Sequence, residues 1–99
     1  MNDPALTTIP LDYPLKRGDG EIAELQLRRP KSGDLRGISI GKLGILDYDE
    51  VRTLLPRITI PPLTVQEVDE IDPADMTELS GALSDFLFTA RRKAEYLRG

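Results

Sequence analysis

The chain has no cysteine, no histidine and no tryptophan, and only 5% of its 99 residues are aromatic. Without cysteine there is neither a disulfide framework nor a thiolate site. Without histidine the commonest metal ligand and the commonest general base are both missing. Ser32, Ser39, Ser80 and Ser84 therefore have no imidazole to activate them. No apolar run approaches the roughly 20 residues of a membrane span. The opening Met1-Asn2-Asp3-Pro4 lacks the charged and apolar regions of a signal peptide, so cytosolic residence is the expectation. An excess of positive charge is lacking too. Seventeen acidic against 13 basic residues give a formal charge of −4, which leaves no general field to draw nucleic acid or anionic lipid. What remains, 39% hydrophobic and 30% charged in 99 residues, describes one small domain over 1–99 with no cofactor, working by binding or structure.

Between positions 7 and 15 Ile9, Leu11, Tyr13 and Leu15 occupy every second place, one face of an extended segment, with Pro10, Asp12 and Pro14 on the other. Two prolines cannot donate to a ladder, so the segment reads as an edge strand. Lys16-Arg17-Gly18-Asp19-Gly20 then offers a turn, and Ala23, Leu25 and Leu27 alternate beyond it. The pattern predicts a β-hairpin whose apolar faces need cover, because two strands alone are marginal in water. Residues 1–6 carry no pattern and are expected to be disordered.

Gly33, Gly37, Gly41 and Gly44 make 31–44 mostly loop. Tyr48, Val51, Leu54, Leu55 and Ile58 have helical spacing interrupted by Pro56, which predicts a helix from 47 ending near Leu55. Thr64-Val65-Gln66-Glu67 fits a capping box opening a short helix to about Glu70. Asp72 as N-cap and Pro73 at the first position open a third, whose stripe is Met76, Leu79, Leu83, Phe86, Leu87, Ala90, Ala94 and Leu97. Unbroken from 73 to 97 it would be roughly 37 Å long, with 90–99 as an extending end. The predicted class is α+β: an N-terminal antiparallel hairpin packed against about three helices, the last one long.

Chemistry-bearing motifs are weak. Gly37-Ile38-Ser39-Ile40-Gly41-Lys42-Leu43 is one spacer residue short of a phosphate loop and has Leu43 where a hydroxyl must bind magnesium. The block Glu67, Asp69, Glu70, Asp72, Asp75 and Glu78 lacks the alternating ligands and turn glycine of a calcium loop, and reads as a solvated face with helix capping. Candidate contact residues are more specific. Phe88 lies about 200° around the helix from Phe86, among polar neighbours where a large aromatic marks a contact surface. Arg91, Arg92, Tyr96 and Leu97 form a small apolar patch with a basic rim, suited to a partner or a second copy. Arg28, Arg29 and Asp34 admit two readings, a recognition edge or a local ion pair and turn fixing the exit from the second strand.

The run Leu11-Asp12-Tyr13-Pro14-Leu15, then Gly20, Ile22, Leu25 and Leu27, then Arg28-Arg29-Pro30-Lys31-Ser32-Gly33-Asp34-Leu35, resembles the small tail assembly chaperones of contractile-tailed phages and prophages, Mu-like and related. Leu55-Pro56-Arg57-Ile58-Thr59, Leu63-Thr64, Glu67-Val68, Ile71-Asp72-Pro73-Ala74-Asp75 and Phe86-Leu87 follow in the same order, so the resemblance covers about residues 7–88. It implies a non-enzymatic protein of the host cytoplasm, absent from the mature virion, that binds the tape measure protein, keeps it soluble and helps recruit tail tube subunits. It also implies a short form, with a longer one made by ribosomal frameshifting in many members. The other reading left open is a small bacterial adaptor that self-assembles as a homo-oligomer through the long helix and has no tail role.

Overall fold

The computed structural model describes residues 6–89 and Arg91. Strand β1 (Leu6–Arg17) and strand β2 (Gly20–Arg28) form the expected antiparallel hairpin around Gly18 and Asp19. Gly18 has φ of 60°, the left-handed region that a two-residue hairpin turn demands and that glycine enters without a steric penalty. A 3-10 turn (Ser32–Leu35) and helices α1 (Ile40–Gly44) and α2 (Tyr48–Ile58) follow. Strand β3 (Thr59–Ile60) and helices α3 (Val65–Asp69) and α4 (Pro73–Leu87) complete the order. The sheet runs β1-β2-β3, all antiparallel, so β1 is an edge strand as its prolines require, and the class is α+β.

Several boundaries depart from the sequence reading. Residues 31–44 are not mostly loop: the Ser39 hydroxyl accepts from the Lys42 N–H, capping α1, and Leu43 within it is fully buried. One cap and one buried leucine outweigh two solvent-facing glycines. Helix α2 continues past Pro56 to Ile58. The missing proline N–H removes only the bond to the Arg52 carbonyl, while the Thr59 N–H closes the last turn on Leu55 and Ile58 is buried completely. Leu6, assigned to a disordered start, is the first residue of β1; residues 1–5 lie outside the described residues.

The last helix is the longest of those described, as expected, but the unbroken run that its stripe predicts is interrupted. Helix α4 stops at Leu87, Phe88 takes up an extended conformation at φ −113° and ψ 141°, and beyond it Thr89 and Arg91 are described, Arg91 as helical, while the rest of the expected extending end at 90–99 lies outside the described residues. At 1.5 Å per residue α4 spans about 22 Å, so it does not outreach the hairpin it covers. Its opening is as expected, with the Asp72 carboxylate accepting from the Ala74 N–H. The capping box at Thr64 and Glu67 also forms.

The hairpin faces differ in phase from simple alternation. Pro10 pairs with Glu24 and Leu15 with Ile22, so residues 11–14 of β1 stand opposite Ala23 alone. Leu11 and Leu15 still enter the core, but Tyr13 is 59% exposed. On β2 the inward residues are Ile22, Leu25 and Leu27, with Ala23 turned outward. The extra residues of a bulge leave strand N–H groups without a ladder partner. Here the partner comes from α4: Asp75, only 2% exposed, accepts from the Asp12 N–H through Oδ1 at 2.9 Å and from the Tyr13 N–H through Oδ2 at 3.0 Å. Helix α4 packs directly on β1, and Leu79 and Leu83 join Leu25, Leu27, Leu43, Leu54, Leu55, Ile58 and Val68 in the core.

Asp75→Ala should destabilise the fold by on the order of 3 kcal/mol in urea unfolding, because two donors lose a charged acceptor at once. Asp75→Asn, which keeps one acceptor oxygen for two donors, should fall between it and the unmodified chain. A loss below about 0.5 kcal/mol for the alanine variant would show that solvent replaces the carboxylate.

Candidate functional site

The exit from β2 carries the densest polar arrangement among the described residues. Arg28 Nη1 and Nη2 donate to Asp34 Oδ2 and Oδ1 at 2.8 and 2.7 Å, and Nη2 also donates to the Arg57 carbonyl at 3.0 Å. That carbonyl lies in the last turn of α2, where a cation offsets the negative end of the helix dipole. The Lys31 N–H donates to Asp34 Oδ2, and Arg57 Nη1 donates to the carbonyls of Asp34 and Arg36 at 2.7 and 2.8 Å. The Arg28 guanidinium and the Lys31 amide hold the Asp34 carboxyl well below the usual carboxylate range. Arg28 and Asp34 are thus engaged with each other, in the local ion pair and turn.

Arg29, beside them, turns elsewhere. Its guanidinium lies 5.8 Å from the centroid of the Phe86 ring, a cation–π contact that joins the β2 exit to the end of α4. Phe86 reads from sequence as plain core, yet it is only partly buried, with its ring under this cation. Phe88 is 47% exposed, and Arg91 is exposed. The structure brings Arg29 and Phe86 together, with Phe88 at the extended cap that follows; Arg92, Tyr96 and Leu97 lie outside the described residues.

The acidic block is less solvated than its composition suggests. Glu67 takes a bidentate pair from Arg17 at 2.9 and 2.6 Å, and Arg17 also reaches the Pro62 carbonyl. Asp69 accepts Arg52 at 2.8 and 3.0 Å together with the Tyr48 hydroxyl at 2.7 Å. The hydrogen bond from Arg17, with the Thr64 amide, holds the Glu67 carboxyl down at about 2, and Arg52 lowers Asp69 likewise. Among the described residues no group of three or more carboxylates could hold a metal ion. Asp75 reads from sequence only as one member of the acidic block, part of a solvated face with helix capping. The signal that could have found its role is Asp12-Tyr13 between two prolines, a pair of N–H groups in need of an acceptor.

These depressed carboxyl values carry a sign. A carboxylate with a lower value folded than unfolded stabilises the fold above its unfolded value, and that stabilisation is lost as pH falls through the folded value. With no histidine to titrate, stability should be flat between about pH 5 and 8 and fall as pH drops from the ordinary glutamate value of 4.5 toward about 2. Urea midpoints measured across this range should show a shallower acid slope for Glu67→Gln. An unchanged slope would mean that Arg17 leaves Glu67 in solution.

Comparison with known proteins follows this geometry closely. Residues 8–87, from within β1 to the last residue of α4, match the family described as phage tail assembly chaperone proteins, E, or 41 or 14. Tail assembly protein E of Escherichia phage P2 is 39% identical over 79 residues, covering 80% of this chain and 87% of that protein. Tail assembly protein E′ of the same phage is also 39% identical over 79 residues, and there the match covers 56% of its length. No solved structure matches the chain. A match that takes in the hairpin, its bulge, the β2 exit and α4 together is a match of the whole described architecture, and the chain belongs to the phage tail assembly chaperone family.

Proposed function

We propose that this protein binds the tape measure protein of a phage tail in the host cytoplasm, keeps it soluble, helps recruit tail tube subunits, and is absent from the mature virion. The observation that carries the reading is family membership over residues 8–87. The physical logic is that of a tape measure protein as a long helical chain with apolar stripes, which a small acidic protein can cover while its own charge keeps the complex dispersed. The contact surface best placed for this is the end of α4. Phe88 offers a half-exposed aromatic anchor, and Arg29 on Phe86 and Arg91 supply cations nearby in the fold or chain. Arg92, Tyr96 and Leu97, further along the chain, are included among the partner-binding residues in this proposal. Arg28 and Asp34 serve it by fixing the strand that carries Arg29. No helix among the described residues is long and apolar enough to cross a membrane. Family membership over residues 8–87 favours a tail role over a self-assembling adaptor without one.

Co-expression with the tape measure protein from the neighbouring gene should move that protein into the soluble fraction, bound to the chaperone. A chain truncated after Thr89 should keep its circular dichroism spectrum, because the last fully packed core residue on α4 is Leu83, but lose most of the capture. Phe88→Ala should weaken capture in the full-length chain. Equal solubility of the tape measure protein with and without the chaperone would contradict the function, whereas full capture by the truncated chain would move the surface away from the end of α4.

A further inference from the structure

Strand β2 is nine residues long, but β3 covers only Gln26 and Leu27 of it. Pro61, which has no N–H to continue the ladder, ends β3, and Pro62 is tied back by Arg17. On the β3 side, residues 20–25 of β2 therefore have no strand neighbour among the described residues. Beside this open edge lies a concavity of about 550 Å³ lined by Glu21, Ile22, Ala23, Glu24, Gln26, Ile60 and Pro61. An edge with unpaired backbone groups and a lined hollow next to it has the form of a site for strand addition.

The charge of the hollow selects its occupant. Its two ionisable side chains are both glutamates, and no cation lines it. Elsewhere the carboxylates Asp34, Glu67 and Asp69 are each claimed by an arginine. Glu21 and Glu24 make no ion pair or side-chain hydrogen bond among the described residues, although Lys16 is the register partner of Glu21 on β1. A second copy is a poor occupant: antiparallel self-pairing of residues 20–25 about their centre would set Glu21 of each copy opposite Glu24 of the other, like charges directly across. We infer that the open edge of β2 receives an extended segment of a partner protein in which lysine or arginine alternates with apolar residues, added antiparallel beside β2 where β3 stops. The basic side chains meet Glu21 and Glu24, the apolar ones settle against Ile22, Ile60 and Pro61, and the backbone completes the ladder. This surface is separate from the end of α4 and does not depend on the identity of the protein bound there.

The test uses the full-length chain and a short end-blocked peptide alternating lysine with valine. Three comparison peptides replace lysine with glutamate, insert a central proline, or carry N-methyl groups on alternate residues. In nuclear magnetic resonance titrations the lysine peptide should shift the amides of residues 20–25 and slow their hydrogen exchange. The glutamate, proline and N-methylated peptides should bind at least about tenfold more weakly, as should the lysine peptide to a folded Glu21→Lys/Glu24→Lys double variant. Three results in these titrations would overturn the inference. They are no shifts in residues 20–25, equal binding of the N-methylated peptide, which would leave charge attraction without strand addition, and equal binding to the double variant. A dimer of the unmodified chain with residues 20–25 protected would likewise overturn it, placing a second copy on the edge and reducing the glutamates to ordinary edge protection.

Discussion

A strand that carries more residues than its neighbour must find acceptors for the N–H groups the ladder leaves over. In this protein the surplus falls at residues 11–14 of β1, between two prolines, and the acceptor is a carboxylate 62 and 63 residues further along the chain. Asp75 sits in the first turn of α4, at the positive end of the helix dipole, and accepts from both donors. The bond does two things at once. It satisfies the bulge, and it fixes which end of α4 meets the hairpin, from which Leu79, Leu83 and Phe86 follow along the helix face. The position of the end of α4, and with it Phe88, depends on that anchor.

Around this anchor, bidentate arginine–carboxylate pairs hold the remaining junctions. Arg17 ties the end of β1 to α3, Arg52 ties α2 to α3, and Arg28 ties β2 to the turn after it and to the end of α2. Each is partly exposed, so none is worth much alone. Together they set angles between short elements that bury few residues each. They also explain why an acidic chain offers partners so uneven a surface: several carboxylates are neutralised internally, and those left free along β2 are concentrated at an open edge.

The hairpin, its edge strand, the caps at Thr64 and Asp72 and the α+β class are legible in the sequence, because alternation, turn glycines and capping side chains are local signals. Helix α1 was hidden by glycines whose cost is overcome by a distant burial, that of Leu43. The continuation of α2 beyond Pro56 depended likewise on the pocket that receives Ile58. The apolar stripe runs on past Leu87 and predicts one unbroken helix, and the extended conformation of Phe88 that interrupts it is not legible in that spacing. Alternation along β2 puts Ala23 on the inward face, and the bulge that shifts this phase lies on the other strand. Of the contact residues, the pairing of Arg28 with Asp34 was readable from their spacing around a turn. The stacking of Arg29 on Phe86 was not, as it joins positions that only the packed fold brings together.

Native-state hydrogen exchange at Asp12 and Tyr13 tests the central claim most directly. Both residues are exposed and neither has a strand partner in the register, so their amides would exchange like those of an open loop if the bulge were held by nothing. Anchoring by Asp75 predicts protection close to that of the paired strand residues Ile9 and Leu25. Rapid exchange at both amides in the otherwise folded protein would contradict it, and the placement of α4 would then have to rest on apolar packing alone.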